Sequence, residues 1–137
     1  METIKDPALK AFERWRTVVE EVVGTGNASY GVSAMVANDK PTYARMFMLG
    51  RPTAETDLAG NECAINVSFQ CESFSTQGIN KLYEIDDASH QAMVDMGFYR
   101  TYGGDIVDEG DSSIKRMVSR YSRLYMGSYL NEEEEQN

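Results

Sequence analysis

The sequence predicts an α+β fold: a mostly antiparallel sheet of about five strands, packed by an N-terminal helix and a central crossover helix. Three observations predict it. Two segments carry apolar residues at three- and four-residue spacing, the period of a helix with one buried face. Between them, Cys63, Ile65, Val67, Phe69 and Cys71 alternate strictly with Asn66, Ser68, Gln70 and Glu72, as in a strand with one face on a core. Most connections are short, which antiparallel neighbours allow and parallel ones do not. The 137 residues suit a single domain at roughly 150 residues per domain, expected over 1–130, with an acidic disordered tail at 131–137.

The first helix is expected from about Asp6 to Val23, with Leu9, Phe12, Arg16, Val19 and Val23 as its stripe and Ala8, Trp15 and Val22 beside it. Asp6 followed by Pro7 supplies a capping acceptor and a first-turn residue whose missing N–H costs nothing. Gly24, Gly26 and Asn27 stop the helix. Tyr30 to Val36 then alternates like a strand and ends at the turn-forming Asn38, Asp39, Lys40 and Pro41. Tyr43 to Leu49, bracketed by Pro41 and Pro52, reads as a second strand, and the two as an antiparallel hairpin. Arg51 to Asn61 is polar and reads as an exposed loop.

The alternating strand at Cys63 to Glu72 follows, its polar face either wet or an assembly surface. Ser75 or Thr76 is placed to cap the second helix, from about Gln77 to Met96, with Ile79, Leu82, Ile85, Ser89, Ala92, Met93 and Met96 facing the sheet. Gly97 ends it. Phe98 to Tyr102 reads as a strand, GGDIVDEGDSS as a flexible acidic loop, and Ile114 to Met126 as a last strand with Met117, Tyr121 and Tyr125 on one side. The helix between the third and fourth strands must cross one face of the sheet.

Charge narrows the function. Thirteen basic side chains against 22 acidic ones give a net charge of −9, a surface that disfavours nucleic acid as the principal partner. One histidine and two cysteines leave no material for a zinc cage and little for acid–base catalysis. Cys63 and Cys71, about 26 Å apart on one extended strand, cannot bridge each other and are expected to be two buried thiols in a reducing cytoplasm. No apolar run has the length of roughly 20 residues that spans a bilayer, and METIKDPALK carries no signal-peptide core.

The candidate chemistry is sparse. Asp86 lies one helical turn before His90 and could orient its imidazole, but no nucleophile motif accompanies the pair, and a helix-edge histidine is the simpler expectation. Asp105, Asp108, Glu109 and Asp111 suggest a hard cation, yet their spacing is not that of an EF-hand loop. Neither a Gly-rich phosphate cradle nor a Walker lysine is present. Catalytic, metal and cofactor sites are therefore expected to be absent, and the chain is expected not to be an enzyme.

One charge asymmetry remains. Lys115, Arg116, Arg120 and Arg123 place four cations on the last strand, Arg116 and Arg120 on one face and Lys115 and Arg123 on the other. Such a basic rim either protects an edge strand from unwanted pairing or meets an acidic surface of a neighbouring copy, which suits a ring with head-to-tail contacts. Without the four glutamates at Glu132 to Glu135, the net charge of −9 falls to −5. The remaining excess is segregated, acidic in loops and basic on this strand.

Taken together, KPTYARMFML, CAINVSFQCESFS, the helix that follows, and GFYRTYGGDIVDEGDSSIKRMVSRYSRLY resemble the small tail terminator or tail completion proteins of long-tailed bacteriophages. The resemblance covers most of the chain and is most specific from Met96 to Tyr125. It implies an α+β virion subunit, typically a hexameric ring, at the capsid-proximal end of the tail tube. There it ends tube polymerisation and joins the head connector. It implies no enzyme activity, cofactor or membrane. The expected partners are other copies of the chain, the tail tube protein and the head–tail connector or adaptor, and DNA passes through the lumen without specific binding. Carried over by position, the expected contact surfaces are Asn66, Ser68, Gln70 and Glu72, the loop from Asp105 to Ser113 with Asp108, Glu109 and Asp111, and Lys115, Arg116, Arg120 and Arg123. A head–tail adaptor or a small cytosolic binding module are the alternatives.

Overall fold

The structure is a computed structural model that describes residues 4–31, 41–107 and 114–127. It is α+β, as the sequence predicts, with a mostly antiparallel sheet and two helices. The elements run α1 (Ala8–Val23), β1 (Ala28–Tyr30), β2 (Thr42–Gly50), β3 (Thr53–Thr56), β4 (Glu62–Ser75), α2 (Ile79–Asp95), β5 (Tyr99–Val107) and β6 (Lys115–Tyr125). The sheet order is β1-β2-β4-β6-β5, with β3 paired to the N-terminal part of β4. Both helices lie on one face. Among the described residues, no helix covers the other face.

Helix α1 begins where Asp6 Oδ1 accepts the Ala8 N–H at 2.8 Å and the Pro7 carbonyl accepts the Ala11 N–H. It ends at Gly24, at φ 99°, where Asn27 Nδ2 closes the Val23 carbonyl at 2.8 Å. Its buried stripe is Ala11, Trp15, Val19 and Val23, one step round from the expected one. Leu9 and Arg16 face outward, because the long, flat Trp15 fills the centre of the interface and sets the rotation of the helix. Trp15 Nε1 donates to Ser89 Oγ on α2 at 2.8 Å, so the largest core side chain has its polar atom satisfied.

Helix α2 carries the chain from β4 to β5, with β6 between them, and is the expected crossover. Leu82, Ile85, Ser89, Ala92 and Met93 face the sheet, whereas Ile79 is exposed. The helix starts later than expected. Gly78 at φ 103° is its N-cap, while Ser75 Oγ accepts the Gln77 N–H and so closes the turn before it. The core is one cluster of Trp15, Val19, Met46, Val67, Phe69, Ile85, Met93, Phe98 and Tyr121 with their neighbours.

Four strand-level expectations are corrected. The first two strands are not an antiparallel hairpin: Ala28 pairs with Ala44 and Tyr30 with Met46 in parallel. Apolar alternation reports faces, not direction, so the sequence did not carry that information; residues 32–40 lie outside the described residues. The expected loop at Arg51 to Asn61 contains β3, whose four residues are all exposed, so no hydrophobic pattern marks it. The expected acidic loop after Tyr102 is still strand as far as Val107, and residues 108–113 lie outside the described residues. Finally, β6 is interior, flanked by β4 and β5, so its cations do not protect a sheet edge. The expected tail at 131–137 also lies outside the described residues.

The cysteines divide. Cys71 is buried, and burial first of all pushes its thiol up to about 12. Cys63, expected to be buried beside it, is exposed, because β3 pairs with β4 through register shifts there and the strict alternation breaks at Ala64.

Candidate assembly surface

Cross-strand register defines the helix-free face. Arg45, Glu72 and Val118 form one row across β2, β4 and β6; Phe47, Gln70 and Arg120 the next; and Ser68 and Ser122 the one beyond, followed by Asn66 and Leu124. Strand β5 extends these rows with Tyr102 beside Arg120 and Tyr99 beside Ser122. Polar residues occupy the centre, while Tyr99, Tyr102 and Leu124 stand exposed toward the β5 side.

All four of the predicted contact residues on β4 lie on this face, in different states. Asn66 is exposed, and Ser68 Oγ lies 2.8 Å from Ser122 Oγ. Gln70 bridges, donating from Nε2 to Glu72 and accepting from Arg120 Nε at 2.9 Å. Glu72 is not on the solvent surface at all. Its side chain is 2% exposed, held by Arg45 Nε at 2.5 Å and Arg116 Nη1 at 3.2 Å. A carboxylate taken out of water needs such partners, and here two guanidiniums supply them. Arg45 also lies over the Phe74 ring, 5.2 Å from its centroid, so its planar head covers both an anion and an aromatic.

The basic residues of β6 separate in the same way. Lys115 is exposed. Arg116 turns to Glu72, and Arg120 lies over Tyr102 at 5.2 Å while bonding Gln70. Arg123 points to the helix side, where Nη1 donates to the Met96 carbonyl at 2.5 Å and the guanidinium lies between Phe98 and Tyr125. Asp105 sits in β5 opposite Val118 and accepts the Tyr102 hydroxyl, which raises that phenol's pKa. Asp108, Glu109 and Asp111 lie outside the described residues.

Beneath α2, the structure assembles a polar network that sequence reasoning missed. Asp86 is buried and accepts from Ser119 Oγ at 2.7 Å and from Arg100 Nη2 at 2.8 Å. Arg100 reaches Tyr121 Oη through Nε and Nη2 at 3.2 and 2.8 Å, and Tyr121 Oη lies 3.1 Å from His90 Nδ1. A guanidinium only donates, so the phenol accepts from Arg100 and its own proton is left for His90.

Asp86 is thus not the partner of His90: it bonds Ser119 and Arg100, whereas His90 meets Tyr121. Burial works against the Arg100 charge, but its bonds to Tyr121 and Asp86 outweigh that and raise its pKa. Desolvation first, against the bonding of Arg100, raises that of Tyr121. Every polar member is tied to another, and the arrangement locks α2, β5 and β6 together. The signal available in the sequence was Asp86 in the apolar stripe of a helix and Arg100 in an aromatic strand, two charges a binary pattern does not explain. Among the described residues, no group of three or more His, Cys, Asp and Glu side chains is placed to hold a metal ion.

The chain matches no model of a known protein family, and no curated protein matches its sequence. Its fold does match solved structures. It is similar to a chain in the structure titled "Virion of native gene transfer agent (GTA) particle", with a TM-score of 0.62 and 15% sequence identity, covering 85% of this chain and 93% of that one. The two chains share a fold over nearly their whole lengths.

Proposed function

We propose that this chain is a structural virion subunit that forms a ring, hexameric in its mature state, at the capsid-proximal end of a phage tail tube. There it ends tube polymerisation and joins the tail to the head connector. The observation that carries the reading is the shared fold with a chain of a gene transfer agent virion, nearly end to end. Support also comes from the sequence resemblance, most specific from Met96 to Tyr125, and from the sheet face that no helix of the described residues covers. On that face Tyr99, Tyr102 and Leu124 expose apolar surface beside a polar centre, a mixture that suits contact with another protein. A net charge of −9 favours a lumen that DNA traverses without sticking.

Electron microscopy of the purified protein and of tails assembled with and without it tests this reading. Six-fold rings capping tubes of uniform length are expected when it is present, and tubes of uncontrolled length when it is left out. Tubes whose length and head attachment are indifferent to the protein would refute the terminator role.

A further inference from the structure

The turn between β3 and β4 is built like a rigid knob. Asp57 Oδ1 accepts the Ala59 and Asn61 N–H groups, each at 2.9 Å, and Oδ2 accepts Asn61 Nδ2 at 3.1 Å. Backbone bonds from Asp57 N to the Asn61 carbonyl and from Gly60 N to the Asp57 carbonyl close the same loop. A turn this tightly bonded fixes the direction of what it carries. At its tip Leu58 is fully exposed, a branched apolar side chain held away from its own core.

The same molecule carries a hollow of matching character. Ala8, Leu9 and Phe12 on the first turns of α1, with Tyr30 at the end of β1, line an almost wholly apolar concavity of about 310 Å³. Leu9 and Tyr30 are exposed within it. Charge distinguishes knob from hollow. The hairpin carries Glu55, Asp57 and Glu62, with the Asp57 pKa lowered, chiefly by the Asn61 N–H, so that it stays ionised. Among the described residues near α1's first turns, Lys5 and Lys10 are exposed and Arg16 lies over the Phe12 ring at 5.5 Å, beside an exposed Glu13 and an Asp6 that lies 3.7 Å from Arg51.

We infer that Leu58 of one copy seats in the Ala8–Leu9–Phe12–Tyr30 hollow of another copy of this chain, with the acidic hairpin against its basic rim. An apolar anchor in a pocket with opposite charges around it is the arrangement that fixes both affinity and register. Knob and hollow are different surfaces, so each contact leaves one of each unused, and repetition gives a head-to-tail series that a ring closes. The inference deepens the proposed assembly and rests on the chain associating with itself.

Leu58→Cys and Leu9→Cys, both exposed positions, test it in a Cys63→Ser background with a short bis-maleimide. Mixing the two single variants is expected to give a covalent pair that neither forms alone, and the double variant a ladder of higher multimers. Leu58→Asp should weaken self-association at least ten-fold while leaving the far-ultraviolet spectrum and melting temperature unchanged. No cross-link from the mixture above the single-variant background would overturn the contact. Imaging separates the two proposals: intact rings from Leu58→Asp with no cross-link would refute this contact and leave the ring, whereas cross-links without rings would do the reverse.

Discussion

Asp86 on α2 and Arg100 on β5 meet at 2.8 Å, with the carboxylate buried and the guanidinium also bonded to Tyr121. Truncating one partner leaves the other with its desolvation uncompensated. Arg100→Ala is expected to lower stability by about 3 kcal/mol, read from the urea midpoint at unchanged slope. The double variant Asp86→Ala/Arg100→Ala should lose less than the sum of the two single losses, because the second truncation removes the group that the first left unpaired.

Gly103 tests how closely the same network is packed. A Cβ there would sit 2.7 Å from Ser119 Oγ and 2.8 Å from Arg100 Cδ. Ser119 is held by Asp86 and also accepts the Gly104 N–H, so it has no room to retreat. Gly103→Ala is expected to cost about 1–3 kcal/mol through overpacking. Gly104→Ala meets only the distant Arg100 Nη1 at 3.9 Å, but Gly104 sits at φ 76°. Its cost is the left-handed backbone, about 1 kcal/mol. Thermal melts of the pair separate the two causes, because shortening Ser119 to Ala in the Gly103→Ala background relieves the contact with Ser119 Oγ, whereas no such change relieves Gly104→Ala.

The two thiols make a third test. In the native protein a maleimide is expected to label Cys63 and spare Cys71, with both labelled after denaturation. Cys71 also sets a pH dependence. Its folded pKa of about 12 lies above the ordinary 9.0, so the protonated thiol supports the folded state below pH 9, and that support is lost as pH rises toward 12. Cys71→Ala should flatten the alkaline limb of a stability–pH curve. An unchanged limb would place the alkaline sensitivity elsewhere.

At the acid end the β3–β4 hairpin is the sensitive part. Asp57 and Glu62 are both held below their ordinary values of 3.8 and 4.5, Asp57 chiefly by the Asn61 N–H and Glu62 chiefly by the Thr53 hydroxyl. Groups with depressed folded pKa values contribute stability above the unfolded value, and that contribution disappears as pH falls through the folded value. Hydrogen exchange is expected to show the Ile4, Ala59 and Asn61 amides losing protection below about pH 4, ahead of the sheet centre. Asp57→Asn should remove the pH dependence at Ala59 and Asn61 and leave it at Ile4, whose N–H is held by Glu62 at 2.8 Å.

What the sequence made legible follows its periodicities. Trp15, Phe69 and Tyr121 lie in patterned segments, and their burial fixes helix, strand and layer together. Strand direction was hidden, because Ala28 to Tyr30 is too short to carry a pattern. So was β3, where Thr53 to Thr56 bury nothing. For the candidate surface, the face of Asn66, Ser68 and Gln70 was readable from alternation. Glu72 was not, since its burial depends on Arg45, which is 27 residues away in sequence and opposite it only through the β2–β4 register.

Charge reversal on β6 brings the fold and the proposed assembly together. Both Arg120 and Arg123 are expected contact residues, yet their surroundings make them unequal probes. Arg123 lies between Phe98 and Tyr125 and donates to the Met96 carbonyl, so Arg123→Glu sets a carboxylate against an acceptor and two ring faces. It should destabilise the subunit itself, by roughly 1–3 kcal/mol. Arg120 is exposed on the helix-free face, and Arg120→Glu exchanges its contacts with Gln70 and Tyr102 for a solvated charge. Its melting temperature should stay within a few degrees of the parent, because a single exposed contact is worth about 1 kcal/mol or less. If the helix-free face meets another virion protein, Arg120→Glu and Leu124→Glu should each block ring formation or tube capping in sedimentation and microscopy while folding normally. Wild-type assembly by both variants would show that this face points to solvent in the virion.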